Sequence, residues 1–431
     1  MKLEEHGIDA IPKTERTKSW RDLFIIQGGI AFSFPTLLIG GLLAPGLSWS
    51  QAVWANVIGN VILACLVALV GYYGVDYGIP TAAASRFTLG EPTGTRLCSA
   101  VLLMSLVGWY AVINELAGQA LDGIVKNATG FSSPTTFIIL VGILNCIPAV
   151  MGFENIRILN RMTIPALVFL AFWMLYAIFR GHTFHQLVSY HPTKLFTFGT
   201  GLDWIVGGFI VGTFIAPDYS RYVKSRSDNW IGSFAGVLPP AVFLGVTGVL
   251  AKVATSDPNP VTSVQVLGLG IPGLLLTILS TVPSSESCLY SAGLALTNVL
   301  PRYARWKNTL AMMALGTALA VFGITRHMGD FLSSLSYVFA PLVGVTLCDY
   351  FVIRRCRLEL EEVYNSNDSR SYSRSRGINV AAVVAIAAGI GVGAATMRKF
   401  PASISSFLVS SIVYFLLVRL TRGAATGRAS N

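Results

Sequence analysis

Long apolar runs limit the fold of this chain more than any other feature of its sequence. About 20 apolar residues are enough for a helix to cross the hydrocarbon core of a bilayer. Twelve such runs lie at about 22–44, 50–75, 97–121, 133–151, 162–180, 202–222, 230–252, 264–299, 308–325, 330–352, 377–397 and 401–420. The sequence therefore predicts an all-α integral membrane protein with twelve transmembrane helices, surrounded by the lipid bilayer.

The charged residues agree with this class and indicate an orientation. Only 12% of the residues are charged, whereas a soluble domain carries about 25%. With the N-terminus inside, the inside segments hold 24 of the 31 Lys and Arg residues, as cytoplasmic segments do. We therefore expect a multi-pass protein of the cell (plasma) membrane with cytoplasmic N- and C-termini. The net charge of +10 needs no nucleic-acid partner, because the basic residues lie between apolar runs.

The sixth run contains the stretch Gly207–Tyr222 (GGFIVGTFIAPDYSRY), which is interrupted in a way that a simple lipid-facing helix is not. Gly212 lies within it and Pro217 follows, and proline removes a backbone donor that lipid cannot replace with water. The first run repeats this pattern with Gly28–Gly29 and Pro35. Broken helices of this kind line the binding sites of secondary transporters. The alternative is a proline kink near a helix end.

The spacing of the two interrupted runs predicts how the chain is organised. Runs that are five apart would be equivalent in two inverted five-helix repeats. The expected segments are a cytoplasmic N-terminal arm at 1–21, a first repeat at 22–180, a second repeat with its external linker at 181–352, a cytoplasmic loop at 353–376, helices 11 and 12 at 377–420, and a cytoplasmic tail at 421–431.

Aromatic and polar side chains at membrane depth mark candidate functional positions. Trp109, mid-way along the third run, packs against neighbouring helices or offers a flat face to a planar ligand. Glu115 is either a hydrogen-bond partner for another helix or a group that couples transport, because a carboxylate in a membrane is costly. The polar patch Ser280–Ser287, which includes Glu286, suits a small hard cation, a polar ligand or hydrogen bonds between helices.

Motifs for other classes of function are weak or missing from the sequence. Gly268–Gly273 matches GxGxxG, but no predicted strand precedes it and Pro272 interrupts it, so a dinucleotide site is excluded. The six cysteines form no CxxC pair, and neither a nucleophile–base pair nor a metal cluster is evident. We therefore expect no catalytic residues, no cofactor and no metal other than a coupling ion. A transporter that works by alternating access is favoured over a membrane-embedded enzyme.

Short motifs along the chain resemble those of the nucleobase–cation symporter family, in its branch of cytosine and purine permeases. They are Gly7–Pro12 with Arg16, Gly40–Gly41 through Gly46–Ser48, Ala84–Phe87, Gly108–Tyr110, Gly208–Ile210 with Asp218–Tyr222, and Leu289–Leu294. The resemblance implies a core of five plus five inverted helices (a LeuT-like fold) with two additional C-terminal helices. We expect a monomer to be sufficient for transport.

The same resemblance assigns roles to individual residues. It implies that Trp109 and Phe209 sandwich a flat heterocycle. The implied sodium site combines backbone carbonyls of the first span with groups of the eighth, from Gly29, Phe32, Ser280, Pro283 and Ser284. Asp218 and Arg221 correspond to a structural pair at the cytoplasmic end.

Departures from the family pattern affect the expected ion and substrate. The related cytosine permeases carry two adjacent hydroxyl residues where this chain has Pro283 and Ser284, so one sodium ligand is lost. Glu286 and Glu115 are then the alternative proton carriers. Ser285 replaces a substrate-reading Asn, which changes the hydrogen-bonding edge of the site. The remaining substrate contacts are expected from Ser33, Gly208, Gly212, Ser284 and Ser285.

The broken helices and the resemblance together imply a secondary active transporter. It would import a nucleobase or a related planar N-heterocycle, of cytosine, purine or hydroxymethylpyrimidine type. A sodium ion or a proton would be the coupling ion. The alternative is a membrane-embedded enzyme or sensor that binds a heterocycle without transporting it.

Overall fold

Helices follow the apolar runs in order along the chain. The structure, a computed structural model, describes residues 10–90, 93–151, 153–194, 196–300, 302–360, 378–397 and 399–429, and no strand is assigned within these ranges. The α-helices are α1 (Trp20–Ala31), α2 (Phe34–Leu43), α3 (Trp49–Val70), α4 (Tyr72–Tyr77), α5 (Thr81–Leu89), α6 (Thr93–Thr129), α7 (Pro134–Met151), α8 (Phe153–Gly181), α9 (Phe184–Val188), α10 (Phe198–Phe214), α11 (Ala216–Ser220), α12 (Arg226–Thr255), α13 (Pro260–Val266), α14 (Gly270–Val299), α15 (Arg305–Val321), α16 (Met328–Leu347), α17 (Val380–Thr396) and α18 (Ala402–Ala429). A π-helix, Cys348–Ile353, continues α16.

The expected N-terminal arm, cytoplasmic loop and tail fall partly outside the described residues. Residues 1–9, 361–376 and 430–431 of these segments are not among them. The motif at 7–12 is therefore described only from residue 10 onward. There the backbone N–H of Ile11 donates to the carbonyl of Gly78 (3.0 Å), and the Arg16 guanidinium donates to the carbonyl of Ile11 (2.9 Å). The arm is thus fastened to the end of α4.

Length and hydropathy decide which helices can cross a membrane. Six segments qualify singly, namely Trp49–Tyr77, Arg96–Thr129, Ile164–Gly181, Arg226–Thr255, Ile324–Ile353 and Ala402–Thr421. The bent pair of α1 and α2 makes a seventh when counted as one span, and Pro134–Ile147, Phe198–Phe214 and Val380–Thr396 are shorter apolar helices. A helical membrane fold is therefore confirmed for the described residues, whereas the count of twelve spans stays a prediction.

The first predicted break lies between α1 and α2, whose axes differ by 58°. Phe32 leaves helical geometry and Ser33 is extended (φ −125°, ψ 150°), which places Pro35 in the first turn of α2, where its missing N–H costs nothing. The Thr36 hydroxyl donates to the carbonyl of Ala31 (3.1 Å) and lies 3.1 Å from the Ser33 hydroxyl. Local side chains therefore replace part of the helix bonding that the break removes.

The second predicted break separates α10 from the short helix α11. Ile215 ends α10, and its N–H still donates to the carbonyl of Val211 (3.1 Å). Pro217 lies in the first turn of α11, again where a proline is tolerated. The carboxylate of Asp218 accepts a hydrogen bond from the backbone N–H of Thr81 (2.7 Å), so α11 is bound to the start of α5. Both interruptions read from the sequence are thus present.

A surface turn divides the eighth apolar run, whose length allowed for one. Helix α13 ends at Val266 and α14 begins at Gly270. Gly268 (φ 73°) and Gly270 (φ 59°) adopt the left-handed conformation that glycine tolerates at little cost. The first two of the three glycines in the GxGxxG match therefore have a conformational explanation.

Glycine contacts seat both halves of the broken first span on α12. A Cβ built on Gly40 of α2 would lie 2.0 Å from the carbonyl oxygen of Gly245, and one built on Gly248 would lie 2.0 Å from that of Leu37. On the α1 side, a Cβ on Gly236 would lie 3.2 Å from the backbone nitrogen of Gly28. Backbones this close leave no room for side chains, so α12 is the platform on which the break is held.

We expect Gly40→Ala to destabilise the protein, because the added methyl group collides with backbone that cannot rotate away. Overpacking of this kind costs about 1–3 kcal/mol. The matched control is Gly391→Ala in α17, where a new Cβ meets nothing within 4 Å. Thermal unfolding of the detergent-solubilised protein should give a lower Tm for Gly40→Ala than for Gly391→Ala. Equal Tm values would contradict the close packing of α2 on α12.

Candidate functional site

Phe209 lies on α10 one turn before the second break and is 9% exposed. Its ring lies over its own helix at Gly212, where a Cβ would come within 3.0 Å of Cε1. At Gly208 a Cβ would come within 2.8 Å of Ile39 Cδ1, so that glycine admits helix α2. Gly208 and Gly212 therefore set the position of the Phe209 ring and of α2 beside it.

Trp109 of α6 is partly buried and is positioned by a residue that the sequence reading missed. Its ring meets the ring of Phe331 edge-on, with centroids 5.5 Å apart and planes at 73°. Gly108 makes room for Phe331, because a Cβ there would lie 2.4 Å from Cε2 of that ring. Trp109 packs against the same hydrophobic cluster that contains Phe209. The ring partner of Trp109 in this structure is therefore Phe331 of α16.

The two α1 positions of the implied sodium site lie at the first break. The N–H of Phe32 donates to the carbonyl of Gly28 (2.7 Å), and its ring stacks on Phe243 of α12, with centroids 6.0 Å apart. Gly29 lies one turn earlier and faces Ile164 of α8, whose Cδ1 would be 3.4 Å from an added Cβ. The last carbonyls of a helix lack intrahelical partners, so this end of α1 can offer backbone oxygens to a cation.

Hydroxyl groups on α14 donate hydrogen bonds back to their own helix. Ser280 donates to the carbonyl of Thr277 (2.8 Å), as Thr281 does (2.9 Å). A hydroxyl that donates keeps its oxygen lone pairs, so it remains a candidate cation ligand. Ser284 follows Ser280 by four residues and is partly buried. Pro283 lies within α14, and its side chain is outside what the structure describes.

Ser285 takes part in a contact between helices. Its buried hydroxyl accepts a hydrogen bond from the amide of Asn145 on α7 (3.0 Å). Asn145 was missed by the sequence reading, although a polar residue inside the fourth apolar run was a usable signal. The hydroxyl hydrogen of Ser285 remains available to donate elsewhere.

The two candidate proton carriers have different surroundings. Glu115 accepts hydrogen bonds from the backbone N–H of Thr325 (2.9 Å), from the Thr325 hydroxyl and from the amide of Gln119 (3.0 Å). Glu286 is 2% exposed, and its Oε2 has no hydrogen-bond partner among the described residues. The surroundings of Glu115 favour a structural role, while those of Glu286 leave a place for a proton or another ligand.

The two residues of the expected cytoplasmic-end pair, Asp218 and Arg221, each contact a neighbouring group. Asp218 is bonded to the N–H of Thr81, and the Arg221 guanidinium lies over the ring of Tyr222, 5.1 Å from its centroid. Ser220, between them, donates to the carbonyl of Gly71 (2.7 Å). These contacts hold α11 in place. Phe209, the proposed substrate contact of this run, lies on α10 instead.

With this geometry established, comparison with known proteins decides the family. The model of the family described as "Permease for cytosine/purines, uracil, thiamine, allantoin" matches residues 10–416. The chain belongs to this family. The cytosine permease of Escherichia coli (strain K12) is 26% identical over 351 residues, which cover 80% of each chain. The hydantoin permease of Microbacterium maritypicum is 24% identical over 383 residues, which cover 83% of this chain and 78% of the relative.

Solved structures of a nucleobase–cation symporter, Mhp1, share the fold of this permease. Its inward-facing conformation superposes with a TM-score of 0.89 at 20% identity and covers 98% of this chain and 95% of the other. A closed conformation with bromovinylhydantoin bound gives a TM-score of 0.82, also at 20% identity, and covers 98% and 96%. The predicted family and the LeuT-like helical fold are thereby confirmed. As a permease, the protein is a membrane transporter and not an enzyme.

We expect Glu115→Gln to lower the Tm of this permease, because an amide replaces one accepting oxygen with a donor that faces other donors. Leaving such a group unsatisfied costs about 1–3 kcal/mol. Glu286→Gln is the matched control, since Oε2 of that carboxylate has no bond to lose among the described residues. Its Tm should stay the same or rise. A Tm that falls only in Glu286→Gln would overturn this assignment of roles.

Proposed function

We propose that this permease imports a nucleobase or a related planar N-heterocycle across the plasma membrane by cation symport and alternating access. The substrate is of cytosine, purine or hydroxymethylpyrimidine type, and one monomer is sufficient. The observation that carries the proposal is the placement of Trp109 and Phe209. One ring is fixed on the continuous helix α6 and the other lies beside the break in α10.

Aromatic stacking explains why a planar substrate fits this pair. An aromatic contact contributes about 0.5–1.5 kcal/mol beyond the area that it buries. The ring of Phe331 packs against the Trp109 ring at 73°, with centroids 5.5 Å apart, and so contributes to the position of the indole. A flat, rigid ring loses little conformational freedom when it binds between two fixed faces. Less of the binding free energy is therefore lost to ordering the ligand.

Backbone groups at the two breaks supply the polar edge of the proposed site. Helix ends leave N–H and C=O groups without intrahelical partners, and transporter folds use such ends to bind polar substrates and ions. Ser33 lies at the first break, and Gly208 and Gly212 lie before the second. Ser284 and Ser285 of α14 add hydroxyl groups. The heterocycle would therefore be read by hydrogen bonds at its rim and by stacking on its faces.

The coupling cation has two candidate positions. A sodium ion would take carbonyl oxygens at Gly29 and Phe32 and hydroxyl oxygens at Ser280 and Ser284. Proline contributes only a carbonyl at 283, which weakens this set. A proton would be carried by Glu286, whose buried Oε2 has no partner among the described residues. The proposal places the N- and C-termini in the cytoplasm, in agreement with the Lys and Arg distribution.

Removal of the Trp109 indole should weaken substrate binding. We expect Trp109→Ala to weaken substrate affinity by about tenfold to a hundredfold, which matches the ~1–3 kcal/mol measured for stacking of a base on an aromatic side chain. Phe209→Ala should act in the same direction. Trp54→Ala on α3 is the matched control, because that side chain is 59% exposed on the outer surface. Binding is measured by thermal shift and by radiolabelled uptake into proteoliposomes. Full uptake by Trp109→Ala would exclude the stacking role.

Gradients imposed separately on proteoliposomes distinguish the two coupling sites. If sodium drives uptake, Ser280→Ala should reduce it and Glu286→Gln should leave it unchanged. If protons drive uptake, Glu286→Gln should reduce it and the variant at the sodium site should leave it unchanged. Uptake that ignores both gradients would rule out symport. Mass spectrometry of the accumulated solute tests the alternative of an enzyme or a sensor, because a transporter returns its substrate chemically unchanged and concentrated inside.

A further inference from the structure

An apolar groove lies on the lipid-facing side of the first break, between α1, α8 and α12. It encloses a cavity of about 510 Å³. Phe24 and Ile25 line it from α1, Ile164 and Phe172 from α8, and Pro239 and Phe243 from α12. Among the described residues the rest of the lining is also apolar or glycine, so these residues offer no polar side chain to a water molecule or to the heterocycle. It is therefore separate from the proposed substrate site.

The groove opens toward the surface that faces lipid. Ile25 is 61% exposed and Phe172 is 58% exposed, although both lie in apolar helices that are assigned to the membrane. A bilayer has no water to fill an apolar recess at this depth, and the hydrocarbon chains of its lipids are the available apolar matter. An acyl chain is thus the occupant that the chemistry of the lining selects.

Basic side chains lie at one end of the groove. Arg21 precedes Phe24 and Ile25 by three and four residues, so it lies on the same face of α1, one turn nearer the proposed cytoplasmic side. Its guanidinium is exposed and lies 5.5 Å from the centroid of the Trp20 ring. Lys18 adds a second exposed cation. The carboxylate of Asp22 accepts hydrogen bonds from Ser19 and caps the helix, and it also interacts electrostatically with Lys18, so Arg21 is the main basic group at this end of the groove.

We propose that this groove binds one acyl chain of an anionic phospholipid from the cytoplasmic leaflet, with the lipid phosphate at Arg21 and Lys18. This inference rests on the orientation given in the proposed function. The bound chain lies against Gly29 and Phe32, the two α1 positions of the candidate cation site. A bound chain would therefore contact the same end of α1 that the candidate cation site uses.

Photo-crosslinking tests where the lipid binds. A phosphatidylglycerol with a diazirine on its acyl chain is reconstituted with the full chain, and labelled peptides are mapped by mass spectrometry. We expect labelling at α1, α8 and α12 several-fold above that at α18, whose Leu408 and Leu416 are also exposed. Val168→Trp, which fills the groove, should abolish the excess. Leu416→Trp should not. Equal labelling of all exposed helices means bulk lipid only, and crosslinks to a second copy of the chain mean a protein occupant. Either result overturns the proposal.

The headgroup contact has its own test. Arg21→Gln should lower the labelling by phosphatidylglycerol relative to phosphatidylcholine by about fivefold, the contribution expected of one basic residue near anionic lipid. Arg419→Gln on α18 is the matched control, because that guanidinium also lies over an aromatic ring, 4.4 Å from the centroid of Phe415. An unchanged lipid preference in Arg21→Gln would exclude the phosphate site. Trp109→Ala should label like the wild type, so a failure of the transport proposal would be recognised separately.

Discussion

The hydrogen-bonding needs of two broken helices are the constraint on which the rest of this structure depends. Hydrocarbon supplies no substitute for a lost backbone bond, so each break must be satisfied by protein. At the first break the hydroxyl of Thr36 replaces a donor for Ala31. At the second, the hydroxyl of Thr81 donates to the carbonyl of Phe214, the last residue of α10 (3.5 Å). What remains unsatisfied is then confined to the interior, where a polar substrate or an ion can use it.

Helix α12 makes the first break possible because both α1 and α2 pack directly against it. Small residues let its backbone approach α1 at Gly236 and α2 at Gly245 and Gly248. Close contacts of this kind are common between membrane helices, because the hydrophobic effect does not drive helices together in lipid. A surface of glycines carries no interlocking side chains. Backbone contact therefore replaces side-chain packing along both arms of the break, α1 and α2.

The sequence predicted features that depend on neighbouring residues in the chain. It did not predict contacts between residues that are far apart in the chain. Both breaks could be predicted because Pro35 and Pro217 act on residues beside them in the chain. Phe331 could not, since nothing near it indicates that it supports a tryptophan more than 200 residues earlier. Thr325 was missed for the same reason, whereas Asn145 could have been found as a polar residue inside the fourth apolar run. Glu115 was flagged by its cost in a membrane, but only the fold reveals that Thr325 provides its donors.

The two buried carboxylates illustrate how far residue type alone can be taken. Glu115 and Glu286 both lie in apolar spans, and both carry the same desolvation cost. Three donated hydrogen bonds offset that cost at Glu115, and the two from Thr325 join α6 to the turn that precedes α16. At Glu286 the described residues offer Oε2 no such compensation. Residue type alone therefore makes the two carboxylates equivalent, and only their hydrogen-bond partners separate a group that links two elements from a group that keeps an oxygen for another ligand.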